Sequence, residues 1–236
     1  MPARRGARCY FSLRSPYSWL AHRELHDRYP DVAAAVEWRP FFEPDPISER
    51  MLTELGGSFP YAAMTRAKHL YVLQDVGRIA KARGIALRWP VDRAPVWEVP
   101  HLAYLVALSE GRGPAYIAAA YRARWEEGRD ICDRGVVAEI AAEIGLDPEL
   151  TAGASDDPAL RRAGARLLLD IDEDGVFGVP FFVQGYSRFW GLDRLADFAA
   201  HLRARTPPAT ALPEAVPAAV GLGDRRTDDG HAGGCG

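Results

Sequence analysis

Residues 8–13 form an apolar run in which Cys9, Tyr10, Phe11 and Leu13 dominate, and they predict a first strand. The pattern then changes to helical spacing over 16–29. Ser15 and Pro16 stand at the junction, a preferred N-cap followed by a residue preorganised for the first helical turn. Trp38, Pro40 and Phe42 alternate within 36–42 and predict a second strand. Pro44, Pro46, Gly56, Gly57 and Pro60 mark a loop-rich passage with a short helix over 48–55. Residues 61–83 read as a long helix with Gly84 just past its end. Further helices are expected at 97–110, 114–126, 133–145 and 157–172. A hairpin over 180–184 and 187–189 and a last helix over 192–205 complete the pattern. After Arg205 the chain is rich in Pro, Ala, Gly and Asp and has no aromatic residue. Such a segment buries too little apolar surface to offset its ordering entropy, so 206–236 is expected to be disordered.

The opening strand–helix–strand and the closing hairpin flank a long helical run. The expected fold class is therefore α/β, a discontinuous domain (1–44 and 171–205) interrupted by an all-helical insertion (45–170).

Composition narrows the function classes. Of 236 residues, 48% are hydrophobic and 26% charged, which is ordinary globular usage. A net charge of −3 gives no reason to expect nucleic acid as a partner. No stretch approaches the ~18 apolar residues of a membrane span. The basic opening lacks the apolar region of a secretory signal. A membrane partner is thus not expected, and the cytoplasm is the expected compartment. Cys9, Cys132 and Cys235 are isolated, with no C-x-x-C among them, so neither a disulfide framework nor dithiol chemistry is expected.

Candidate chemistry begins at Ser15. A hydroxyl at a helix N-terminus, beside unpaired backbone N–H groups, suits a thiolate or another small anion. A second segment is the 175–182 run, Gly-Val-Phe-Gly-Val-Pro-Phe-Phe, in which Val179-Pro180 precedes a β-prone stretch and is expected to be a cis bond. Trp190, Gly191, Leu192, Asp193, Arg194 and Leu195 follow. In the long helix, Lys68, Tyr71, Asp75 and Arg78 fall at helical spacing and are expected to share one face. Arg14 adds positive charge beside Ser15. His22 and His26, four apart, could hold a metal only with a third ligand, and none follows in recognisable spacing; an exposed helix face is expected for them and no metal site is predicted.

These motifs together resemble the thioredoxin-like superfamily. Phe11, Ser15-Pro16-Tyr17-Ser18-Trp19-Leu20-Ala21, the Lys68–Tyr71–Asp75–Arg78–Ala80–Gly84 spacing, the 175–182 run and Trp190 to Leu195 occur in order over roughly 8–204. Within that superfamily they are similar to the 2-hydroxychromene-2-carboxylate isomerase group, the kappa-class glutathione transferases and the DsbA-like proteins. The resemblance implies a thioredoxin-like domain with a large helical insertion. It implies that Ser15 donates a hydrogen bond to the sulfur of bound glutathione, and that the Val179-Pro180 backbone pairs with the peptide backbone of that thiol. Leu192 and Asp193 take the place of residues that hold its charged γ-glutamyl end. Leu192 is apolar where a polar residue is common, which opens the cofactor to another thiol such as mycothiol. Arg14, Tyr17, Lys68 and Tyr71 are the further candidates for contact with substrate or thiol.

The implied activity is a thiol-dependent cis–trans isomerase of an aromatic or polyketide-like α,β-unsaturated ketone, or of a compound like 2-hydroxychromene-2-carboxylate. A kappa-like glutathione S-transferase and a non-catalytic thioredoxin-fold binding subunit are the alternatives. The implied partners are a small aromatic substrate, a thiol cofactor and a second copy of the chain.

Overall fold

A computed structural model of the chain describes residues 6–60 and 64–205. The expectation of disorder for 206–236 falls outside those residues, as does the 61–63 portion of the long predicted helix.

Ten α-helices and four strands alternate unevenly among the described residues. The order is β1 (Arg8–Phe11), α1 (Pro16–Arg28), α2 (Pro30–Ala35), β2 (Glu37–Pro40), α3 (Pro46–Glu54), α4 (Arg66–Ala82), α5 (Glu98–Ser109) and α6 (Gly113–Tyr121). A π-turn, Arg122–Glu126, follows α6 directly. Then come α7 (Arg134–Glu143), α8 (Pro148–Ala152), α9 (Pro158–Asp174), β3 (Phe181–Gln184), β4 (Ser187–Trp190), a 3₁₀ turn Leu192–Arg194 and α10 (Leu195–Arg205).

The sheet order is β2-β1-β3-β4. β1 runs parallel to β2 and antiparallel to β3, and β3 pairs antiparallel with β4. Two strands therefore come from before the helical run and two from after it. The arrangement is a thioredoxin-like fold with a large helical insertion, as the family resemblance implied. One apolar cluster joins Tyr10 and Phe11 of β1, and Leu13 just beyond it, to Leu102, Tyr104, Tyr121 and Trp125 of the helical run. A second cluster packs Cys9 and Phe182 between Leu25 of α1 and Leu195 and Phe198 of α10.

Local chemistry explains most boundaries. Pro opens α1, α2, α3, α8 and α9, where a missing N–H costs nothing. Thr65 caps α4, accepting from the Lys68 N–H at 3.2 Å, so that helix starts at Arg66 and not at 61. Gly175, at φ +66°, ends α9 in the left-handed region that glycine adopts without a Cβ clash.

A buried ion pair fastens the end of α9 to β1. Arg8 is only 3% exposed. Its Nε and Nη2 donate to the two Asp174 carboxylate oxygens at 2.8 and 2.9 Å, and the Tyr10 hydroxyl donates to the same carboxylate. Asp174→Ala would leave that guanidinium uncompensated, at an expected cost of about 3–5 kcal/mol. Urea unfolding measures it directly; a loss below ~1 kcal/mol would mean that the Arg8 charge finds another partner.

Candidate active site

The strand register gathers three loops at one end of the sheet. Tyr10 of β1 is opposite Phe181 of β3, so the next β1 residue, Phe11, stands level with Pro180. Phe181 is in turn opposite Trp190 of β4, and the Gly191 N–H donates to Pro180 O at 2.9 Å. The 12–15, 178–180 and 190–193 segments thus share the end at which the parallel strands β1 and β2 terminate. Ligands of open α/β sheets bind at such carboxyl ends.

Ser15 is the N-cap of α1, at φ −88° and ψ 121°. Its hydroxyl oxygen accepts from the Ser18 N–H at 3.2 Å. The same hydroxyl keeps its hydrogen to donate. The Ser15 N–H donates to Ser12 O at 3.1 Å, closing a turn between β1 and α1. A half-buried hydroxyl therefore stands at the positive end of a 13-residue helix. Ser15, Pro16, Tyr17 and Ser18 open the helix, with no cysteine among them.

A cleft of about 810 Å³ opens beside this helix start. Tyr17, Val179, Pro180, Leu192 and Asp193 line it, and the Val179-Pro180 bond is cis. Tyr71 and Asp75 of α4 form the facing wall. Ser15 itself is not among the lining residues, but Tyr17 two positions on is. The Trp190 ring rests on Gly178, where an added Cβ would meet its Nε1 at 3.0 Å, and packs edge-on to Phe177 at 5.0 Å. Gly191 has φ +100°, and a Cβ there would meet Asp193 Oδ1 at 2.6 Å. The turn therefore needs glycine both for its backbone and to let Asp193 fold back.

The walls are aromatic and the ties between them polar. The Tyr17 hydroxyl donates to Asp75 at 2.8 Å. Burial, then this bond, raises the phenol above its ordinary range, so Tyr17 remains a donor. The Tyr17 bond, with that from Arg78 at 3.0 Å, holds the Asp75 carboxyl below the usual range. At the far end Arg83 donates to Glu24 of α1 at 2.7 Å.

Two other candidates lie elsewhere. Lys68 is exposed on the first turn of α4 and does not line the cleft. Arg14 pairs with Glu43 at 2.8 Å, and its guanidinium lies over Trp97 at 5.3 Å from the ring centroid. The His22–His26 face is exposed only in part: His26 is exposed as expected, and His22 is not. His22 is buried against Trp38 and Tyr121, and burial pushes its imidazole down to about 3. The apolar neighbours on β2 and α6, invisible in the α1 sequence alone, cover it. Among the described residues no three His, Cys, Asp or Glu side chains converge on a common point fit for a metal.

Glu24, Ile79, Arg83, Trp190 and Arg194 also line the cleft, and none was singled out as a contact from the sequence. A signal was present on α4. Tyr71, Asp75, Ile79 and Arg83 recur every four residues, which marks one helix stripe. Lys68 and Arg78 belong to the same face by angle, but Lys68 lies about a turn before Tyr71, short of the cleft, and Arg78 turns to Asp75. Tyr17 and Glu24, seven apart, share a face of α1 in the same way.

A model of the DSBA-like thioredoxin domain matches residues 8–203. The chain belongs to the DsbA-like thioredoxin family. Within it, the chain is 27% identical over 194 residues to the 2-hydroxychromene-2-carboxylate isomerase of Sphingobium xenophagum, covering 82% of this chain and 95% of that protein. A solved 2-hydroxychromene-2-carboxylate isomerase superposes with a TM-score of 0.66 at 23% identity, over 84% of this chain and 94% of the other. The cytosolic disulfide reductase DsbM of Pseudomonas aeruginosa, solved with GSH, gives a TM-score of 0.55 at 22% identity, over 84% and 97%. Among the described residues of this family member no helix is long and apolar enough to cross a membrane.

Proposed function

We propose that this chain is a thiol-dependent cis–trans isomerase acting on an aromatic or polyketide-like α,β-unsaturated ketone, or on a compound like 2-hydroxychromene-2-carboxylate. The observation that carries the reading is a serine hydroxyl, not a cysteine, at the head of α1, at the sheet end where the Val179-Pro180 loop opens into an aromatic-walled cleft. A serine there cannot form a disulfide, which sets this chain apart from dithiol oxidoreductases. It can hold a thiolate supplied by a cofactor. The likeness to the Sphingobium isomerase and the GSH in the DsbM structure support the same assignment.

In this mechanism the Ser15 hydroxyl and the α1 N-terminus stabilise the cofactor thiolate. When bound, the thiol would supply a nucleophile for reversible addition to the β-carbon of the conjugated ketone, which would free the double bond to rotate before the thiol leaves unchanged. Val179 and Pro180 hold the thiol backbone, Leu192 and Asp193 its distal end, and Tyr17, Tyr71 and Trp190 face the ligands across the cleft. Arg14 and Lys68 lie off the cleft and take no assigned step.

Thermal shift with glutathione and with mycothiol tests cofactor binding. Saturation at ~100 Kd adds roughly 2.7 kcal/mol, a rise of roughly 5–10 °C for a domain of this size. Mass analysis of the product then tests the reaction: an unchanged substrate mass supports isomerisation, and a thiol adduct would make the chain a transferase. No shift with either thiol would overturn the thiol-dependent reading.

A further inference from the structure

The turn that presents Ser15 is gripped by three side chains of the helical insertion. The Leu13 N–H donates to His101 Nε2 at 3.1 Å. Trp125 Nε1 donates to Leu13 O at 3.3 Å. The Tyr121 hydroxyl donates to Ser12 O at 3.1 Å. All three side chains are 2% exposed or less. His101 Nδ1 lies 2.7 Å from Trp97 O. A carbonyl only accepts, so Nδ1 carries the hydrogen and Nε2 is left as the acceptor that Leu13 needs. Tyr121 and Trp125 are four residues apart across the change from α6 to the π-turn Arg122–Glu126. Trp125 stacks on Trp19 of α1, with centroids 6.0 Å apart and planes at 19°. From the α1 side, Ser18 Oγ accepts from the Ser12 N–H at 3.3 Å, and Ser12 Oγ accepts from the Arg14 N–H at 3.3 Å.

Packing alone does not call for this arrangement. Phe or Leu would fill these places without a polar atom to satisfy. Instead three rings each bring one polar atom to two consecutive residues, and those residues lie just before Ser15. None of the three lines the cleft. Their bonds end on backbone, so what they determine is where the chain enters α1.

We propose that His101, Tyr121 and Trp125 are positioning residues that fix the Ser12–Leu13 backbone and so hold the Ser15 side chain at the α1 N-terminus. Their catalytic consequence rests on Ser15 being the thiolate-stabilising group. Their geometric consequence does not, and the two are tested apart.

The geometric test puts the probe in the chain. In Ser15→Cys, with Cys235→Ser, iodoacetamide alkylation against pH reads the acidity of the introduced thiol without any added cofactor. The native thiols stay silent: burial raises that of Cys9 far out of range and pushes that of Cys132 up to about 12. The introduced thiol is expected below the ordinary ~8.5 because of the helix terminus. Adding Tyr121→Phe, Trp125→Phe or His101→Leu should raise it by about half a unit or more as the cap position loosens, while His101→Gln, which keeps an acceptor, should restore part of the shift. With Ser15 intact, the same substitutions should lower turnover about tenfold at saturating thiol with little change in KM. They should add nothing to Ser15→Ala. Circular dichroism selects the folded variants, and Tyr121→Phe, which removes one oxygen, is the mildest. An acidity unchanged within ~0.2 units in folded variants would overturn the proposal. Shifted acidity with full turnover in Ser15→Ala would uphold the positioning and remove Ser15 from the reaction.

Discussion

Ser15→Ala is expected to keep the fold and lose about 10²–10³ of the thiol-dependent rate. The substitution removes the hydroxyl that accepts from the Ser18 N–H, an N-cap loss of about 1 kcal/mol, which a domain of this size tolerates. It also removes the one donor assigned to the cofactor sulfur, and a donor aimed at a localised charge is worth far more than a cap. Binding should suffer less than turnover, because Val179, Pro180, Leu192 and Asp193 remain. The absorbance of the bound thiolate gives the cause: its acidity should fall in Ser15→Ala relative to the native chain. Equal acidity and equal turnover in both would assign activation to the helix terminus itself, and Ser15 would be a cap and nothing more.

The parts of this site that were legible in the sequence are those set by local chemistry. Ser15 before Pro16 announced a capped helix, and the Val179-Pro180 run announced the turn opposite. The four strands appeared as short apolar or alternating runs because each packs at least one face against the core. Two short helices, α2 and α8, were not anticipated, since six and five residues are too few to display a 3.6-residue period. The π-turn at Arg122–Glu126 was equally hidden inside what read as one helix over 114–126. Long-range contacts were legible least. The spacing of Tyr71, Asp75, Ile79 and Arg83 marks them as one stripe, but nothing in the order of residues tells that the stripe faces the cleft, or that Arg14 turns to Glu43 and Trp97. The burial of His22 and His101 belongs with these, for it depends on elements distant in the chain.

That burial leads to the largest stability effect expected here. His101 is completely enclosed and His22 is 7% exposed, and in both burial pushes the imidazole down to about 3. For His22 the neighbouring charges of His26 and Arg23 act in the same direction. The folded-state value is thus depressed below the unfolded ~6.5, so the unfolded chain binds a proton that the folded chain refuses. Stability from these groups is fully present above about pH 6.5 and is lost as pH falls towards 3. Each histidine removes about 1.4 kcal/mol per pH unit over most of that window, so the pair should remove roughly 5 kcal/mol between pH 6 and pH 4. That is comparable with the whole stability of a typical domain. Protonation would also turn His101 Nε2 from acceptor to donor, facing the Leu13 N–H, so the acid transition should begin at the turn that carries Ser15. Urea unfolding at half-unit steps of pH measures the slope. His101→Gln keeps an acceptor but cannot titrate, so it should cut the slope above pH 4 by about half, whatever it costs at pH 7. A native slope near zero between pH 6 and pH 5, before the carboxylates titrate, would mean that neither imidazole is held neutral by the fold.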